Sequence, residues 1–220
     1  MDKAYIWIFV FIAGLAIFFG RNFFYNKTRD DLLNIIGKDD DKFLKMIDGF
    51  TAKLFIEPFN RDYMKLNHYI LTKNESKIFE QFNTIDEHKL NKDQTLVLYQ
   101  HLFKYYVKAT NLEKAEDIYE RLCKYVDENK LSIEIKEDFE KDIKVYLTKD
   151  LSVLSLLERK MENANNDLKA LLYLEKAYVL KHNDRMEEAL SNMKKVIEYT
   201  SNTNQKQVMQ DLLNSDLKAL

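Results

Sequence analysis

LVLYQHLFKYYVKATNLEKAEDIYERLCKYVDEN, residues Leu96–Asn129, carries two apolar stripes at helical spacing, parted by a polar break at Ala109–Asn111. Tyr99, Leu102, Phe103 and Tyr106 recur at the i, i+3, i+4, i+7 positions that share one face of a helix. Leu112, Ala115, Ile118, Tyr119, Leu122 and Cys123 draw the same stripe on a second helix. The stretch therefore predicts an antiparallel helix pair, a unit common to many bundles.

Working outward, the chain of 220 residues contains 4 Gly and 1 Pro, too little turn chemistry for an all-β fold. Long stretches run at helical period, and the fold class is all-α. The single Cys123 lies on an apolar helix stripe, where a buried thiol is expected rather than a reactive one. A formal charge of −2 gives no basic field for nucleic acid.

Residues Ala4–Gly20, AYIWIFVFIAGLAIFFG, carry no charge over 17 positions, the lower end of the roughly 17–25 residues that span a bilayer. Tyr5 and Trp7 at its start, and Phe23, Phe24 and Tyr25 beyond its other end, sit where interfacial aromatics belong. A cleaved signal peptide needs small residues ahead of the cut, and Phe18-Phe19-Gly20 supplies bulky ones, so a retained single transmembrane helix is expected. Lys3 precedes the segment and Arg21, Lys27 and Arg29 follow it, which places the C-terminal side in the cytoplasm. From Asp30 onward 30 Lys and Arg stand against 35 Asp and Glu, a net −5, so broad adhesion to anionic lipid is not expected beyond the short basic flank.

Asp30–Asp41 reads as a linker with a short helical piece at Leu32–Ile36. Asp39, Asp40 and Asp41 lack the alternating ligands of a calcium loop, and they suit the N-cap and first turn of a helix running Lys42–Phe55. Pro58 bounds the next element. Asn60–Thr72 and Glu75–Phe82 form a second pair through Tyr63, Leu66 and Ile70 against Ile78 and Phe82, and Asn83–Asn91 is a loop. Glu134–Leu147 and Leu151–Ala164 form a third, broken at Thr148–Asp150, with Ile135, Phe139, Ile143 and Leu147 facing Leu151, Leu154 and Leu157. In the fourth pair Leu171, Leu174 and Tyr178 face Met186, Ala189, Met193 and Val196. Gln205–Leu217 is a lone amphipathic helix.

The pair at Leu96–Asn129 resembles a tetratricopeptide (TPR) repeat, whose pattern of a large residue, Leu, a small residue and Tyr, then Ala and an aromatic, falls on Tyr99, Leu102, Phe103, Tyr106, Ala115 and Tyr119. Phe103 departs from it, standing where the family has Gly or Ala. The fourth pair is similar, with one extra residue in the Lys181–Arg185 turn. Ala115 and Ala189 are 74 residues apart, close to two repeats of about 34 with short insertions. The resemblance covers Asn60–Leu217 and implies a TPR-like solenoid of antiparallel helix pairs closed by a C-terminal capping helix.

The expected organisation is thus an anchor with its basic flank at 1–29, a linker and leading helix at 30–57, and the repeats at 58–220. TPR proteins bind other proteins through a groove lined by the first helix of each pair. In that register the groove residues are Val97, Gln100, Lys104 and Lys108, and Lys169, Leu172, Lys176 and Val179. Four lysines suit an acidic peptide or a C-terminal carboxylate; the same lysines also suit the solvated side of an amphipathic helix. His68, His88, His101 and His182 show no metal spacing, there is no glycine-rich phosphate loop, and no nucleophile motif occurs. No catalytic residue, cofactor, metal or small-molecule substrate is implied. The functional expectation is a membrane-anchored adaptor or scaffold that binds a protein. An extracytoplasmic chaperone-like or envelope-assembly factor, and a constant subunit of a membrane complex, are the alternatives.

Overall fold

The computed structural model describes residues 20–87, 89–215, 217 and 218, and among them the fold is all-α. The expected anchor at 4–20 lies outside the described residues except for Gly20, and among those described no helix is long and apolar enough to cross a membrane. The chain divides into two compact units, one ending at Leu98 and one starting at Tyr99.

The first unit contains α1 (20–35), α2 (Asp40–Ile47), α3 (Phe50–Phe55), α4 (Pro58–Leu71) and α5 (Glu75–Asp86), and it ends inside α6 (Lys92–Lys108). Of the stretch expected as a linker with a short helical piece, residues 30–35 continue α1, and a turn at 36–38 leads to α2. Leu32 is fully buried there, in a core with Phe43, Ile47, Ala52 and Ile56. The expected helix over Lys42–Phe55 breaks at Asp48-Gly49, where Gly49 takes an extended backbone and starts α3. Asp39 is the N-cap of α2, accepting a hydrogen bond from Lys42 N–H (3.0 Å), as its sequence position indicates. Gly37 (φ +71°) turns the chain out of α1 against α4, where a Cβ would meet Leu71 Cβ at 2.9 Å. Its N–H donates to Nδ1 of the buried His68 (3.1 Å), whose ring stacks on Phe43 at 4.3 Å. In the following hairpin Leu66, Ile78, Phe82 and Ile85 are buried, and α5 continues through Asn83–Asp86, which sequence had placed in a loop.

The second unit holds the end of α6, α7 (Leu112–Glu128), α8 (Ile133–Asp142) running into a π turn (Ile143–Leu147), α9 (Val153–Glu162), α10 (Asn166–Lys181), α11 (Met186–Tyr199) and α12 (Thr203–Asn214). Tyr99 and Tyr125 meet at 6.2 Å and Lys114 Nζ lies 5.2 Å from the Tyr106 ring centre, so α6 and α7 form the expected hairpin. Arg159–Glu137 (2.6 Å) and Lys160–Asp138 (2.7 Å) hold α9 to α8. The buried face of α9 is Val153, Leu157 and Met161; Leu151, assigned to that face from the sequence, precedes the helix and is exposed. Leu112, given a place on the α7 stripe, is exposed as well, while Ala115, Ile118 and Leu122 are fully buried.

The hairpins share one kind of turn. Lys73, Thr110, Lys149 and Asp184 all take left-handed backbone (φ 52–59°), at successive intervals of 37, 39 and 35 residues. At Thr110 the helix end is closed by Asn111 N–H to Tyr106 carbonyl (3.0 Å) and Thr110 N–H to Val107 carbonyl (3.1 Å), and the same two bonds recur at Lys73 and Asp184. Asn74 and Asn111 then cap the next helix through Lys77 N–H (3.4 Å) and Lys114 N–H (3.1 Å).

Within the second unit, first helices of successive hairpins meet. Phe103 of α6 packs on Phe139 of α8 at 4.4 Å. The bulky residue at the small position of the repeat pattern thus reaches the next hairpin rather than prising its own apart. Three side-chain bonds, Lys141–Glu175, Lys149–Asn183 and Asp167–Ser201, each join residues 34 positions apart.

Ala189 is fully buried against a cluster that includes Ala170, Leu180, Met193 and Val196. Ala189→Leu is expected to cost about 1–3 kcal/mol by overpacking, read as a lower urea midpoint, and Ala115→Leu, also fully buried, should behave alike.

Candidate functional site

Helix α10 is the element on which the second unit's contacts converge. Asn165 caps it through Leu168 N–H (2.9 Å), and its centre is buried on more than one side: Ala170, Leu172, Ala177, Val179 and Leu180 are apolar, and Glu175 lies among them with only 3% of its surface exposed. A carboxylate so placed needs partners. Lys141 Nζ lies 2.5 Å from Glu175 Oε1, and Tyr146 OH donates to the same oxygen (3.0 Å); Lys141 also reaches Asp142 (2.7 Å). Glu175 Oε2 finds no hydrogen-bond partner among the described residues.

The π turn carries Tyr146. Its hydrogen bond from Thr148 N–H to Ile143 carbonyl (3.0 Å) spans five residues instead of four, the insertion that defines such a turn. Burial opposes the charge on Lys141, but the Glu175 and Asp142 carboxylates outweigh it and raise the lysine above its usual value. Tyr146 is also raised, by burial first and then by the Glu175 charge.

Beyond this clamp, α10, α11 and α12 leave an open groove of about 500 Å³. Ala170, Leu171, Leu174, Val196 and Met209 give it apolar walls. Asp167 closes one end by accepting from Ser201 Oγ (2.7 Å). Leu171 is 46% exposed there, although sequence periodicity assigned it to the core. No family model, curated protein or solved structure matches the chain.

The residues expected to line a partner groove separate into two groups. On α6, Val97, Gln100, Lys104 and Lys108 are all exposed. Lys104 and burial together lower the pKa of the neighbouring His101, burial being the larger cause. On α10 the expectation is corrected. Leu172 (2% exposed) and Val179 are buried with Val145, Val153, Leu157 and Met161, so neither reaches a partner. Lys176 pairs with Glu158 of α9 (2.5 Å) and holds that carboxyl below its usual range. Lys169 is half-buried, its Nζ 5.7 Å from the Tyr199 ring centre. The groove side of α10 is instead Asp167, Leu171 and Leu174.

Sequence reasoning missed Glu175, Lys141 and Tyr146. A signal was present: a lone acid inside ALLYLEKAYVL with a lysine 34 residues upstream, one repeat length. Among the described residues no cluster of His, Cys, Asp and Glu could hold a metal ion.

Lys141→Met strands the buried carboxylate and is expected to cost about 3–5 kcal/mol in urea unfolding. Adding Glu175→Leu should restore most of that loss. Lys141 and Tyr146 are both raised from 10.5 and 10.0, so their contribution is complete below those values and disappears as pH climbs past them. The melting temperature of the native chain should therefore fall toward that of the Lys141→Met variant in strongly alkaline buffer, while the double variant changes less.

Proposed function

We propose that this protein is a membrane-anchored scaffold of the TPR-like kind, which holds a segment of a partner protein on its helical repeats. The repeat reading draws support from the bonds joining residues 34 positions apart, the repeat length of that family. The observation that carries the functional reading is the open groove on α10, α11 and α12, an apolar trough with Leu171 exposed in it. Such a trough suits an apolar anchor residue from a bound segment, the kind of contact that dominates protein interfaces. Lys104 and Lys108 make no ion pair among the described residues and suit acidic residues in the same partner.

In this reading residues 4–20 hold the chain in the bilayer, and the excess of Arg21, Lys27 and Arg29 over Lys3 sets the repeats on the cytoplasmic side. Confinement to a surface raises the effective concentration of other membrane-bound proteins. No catalytic role is proposed.

A photo-crosslinking amino acid substituted for Leu171 in native membranes should join the chain to a discrete protein, whereas one at exposed Ile133 should not. Leu171→Glu should weaken capture by more than tenfold, since interface anchors contribute about 2 kcal/mol or more. Equal capture by a folded Leu171→Glu variant would remove the groove from the proposal. A C-terminal reporter active only outside the cytoplasm should stay silent; activity there would indicate the extracytoplasmic alternative.

A further inference from the structure

The first unit exposes an aromatic patch that its own core does not use. Phe23 is 63% and Phe50 80% exposed, and Phe24 and Leu54 are also open to solvent. These residues are adjacent rather than scattered. Phe23 and Phe24 meet edge to face at 5.6 Å, and Phe24 stacks on Phe55 at 5.4 Å, which joins the first turns of α1 to the end of α3. Phe50 and Leu54 are one turn apart on α3, beside Phe55. Arg21, Lys27 and Lys53 are interspersed with them, exposed, and without an ion pair among the described residues.

Contiguous apolar surface rimmed by cations is what a protein presents to a lipid interface. Position along the chain argues for the same occupant. The uncharged stretch Ala4–Gly20 runs directly into this patch, and at about 1.5 Å per helical residue Phe23 and Phe24 lie only about 5 Å along the helix from Gly20. A soluble partner seated there would have to share the space with the bilayer surface.

We infer that the Phe23, Phe24, Phe50 and Leu54 face is a lipid-contact surface: it lies in the headgroup region, with its aromatics at the acyl boundary and Arg21, Lys27 and Lys53 on anionic headgroups. The inference rests on the anchoring proposed above, and it deepens that reading. The anchor fixes one end of the chain, and the α3 face fixes the tilt of the first unit on the surface. Lys53 extends its charge past its own methylene stem to the phosphates while Phe50 and Leu54 reach inward.

The test uses the full chain in vesicles of phosphatidylcholine and phosphatidylglycerol whose acyl chains carry bromine either near the glycerol or near the methyl end. Trp7 is the sole tryptophan, so the native chain reports the anchor and a Trp7→Phe, Phe50→Trp chain reports the α3 face. The expected result is quenching of the introduced indole by shallow bromine more than by deep bromine, diminished by Lys53→Glu. Leu54→Trp in the same background should repeat it. An introduced indole indifferent to bromine at both positions overturns the surface, and burial against a second copy would give that result. Trp7 quenched with the introduced indole indifferent sinks the surface alone. Trp7 indifferent sinks the anchor, and the surface then stands or falls on the introduced indole.

Discussion

The ion pair between Lys141 and Glu175 sets the register of the second unit. Removing two charges from water costs several kcal/mol per ion, and only close partners offset it. Here the offset is complete on one oxygen, where Lys141 and Tyr146 converge at 2.5 Å and 3.0 Å. Apolar helix faces tolerate sliding, because one leucine replaces another at little cost. A buried carboxylate does not, since a shift of one turn separates it from its cation. The pair therefore selects one alignment of α8 on α10 out of several that the apolar residues alone would accept.

The remaining contacts of α10 follow from that alignment. With Glu175 turned toward α8, Val179 and Leu172 enter the cluster shared with Val145 and Leu157, while Ala170 and Leu180 enter the cluster with Ala189 and Met193. Asn183 then reaches the carbonyl of Lys149 (2.7 Å), and Ser201 reaches Asp167. Each bond again spans 34 residues: the first ties the turn of one hairpin to the turn of the next, and the second ties the start of α10 to the segment that leads into α12. Beside α10 and α11, α12 packs through Met209, Leu212 and Leu213, with Val208 outward.

Most helix boundaries were legible because they rest on local chemistry. Asn111 and Asp39 are caps by residue type alone, and the polar break at Ala109–Asn111 coincides with the left-handed turn at Thr110. The register of α10 was not legible. Leu171, Leu172 and Leu174 are equally apolar, so no polar stripe marks which side meets solvent; periodicity assigned the exposed Leu171 to the core, and the register of the TPR resemblance assigned the buried Leu172 to the groove. The same limit applies to Asp30–Asp41, where Asp30 and Asp31 obscured the continuation of α1, whose fully buried residue is Leu32. Polar composition reports what is solvated, and a helix that buries a single leucine per few turns is mostly solvated.

Charge is distributed unevenly along the chain, and that unevenness bears on how an anchored scaffold would work. The cations Arg21, Lys27 and Lys53 stand around the aromatic patch, whereas the chain from Asp30 onward, Lys53 included, sums to −5. An anionic bilayer would attract the first and repel the second within a Debye length of about 8–10 Å. Under the proposed anchoring, the repeats would be held near the surface without adhering to it, leaving the groove by Leu171 open to a partner. Exposed lysines at Lys104 and Lys108 run against the domain's overall sign, and at moderate ionic strength only such local exceptions remain visible to an acidic ligand. In that reading net charge would govern distance from the membrane, and Lys104 and Lys108 would govern what the domain meets there.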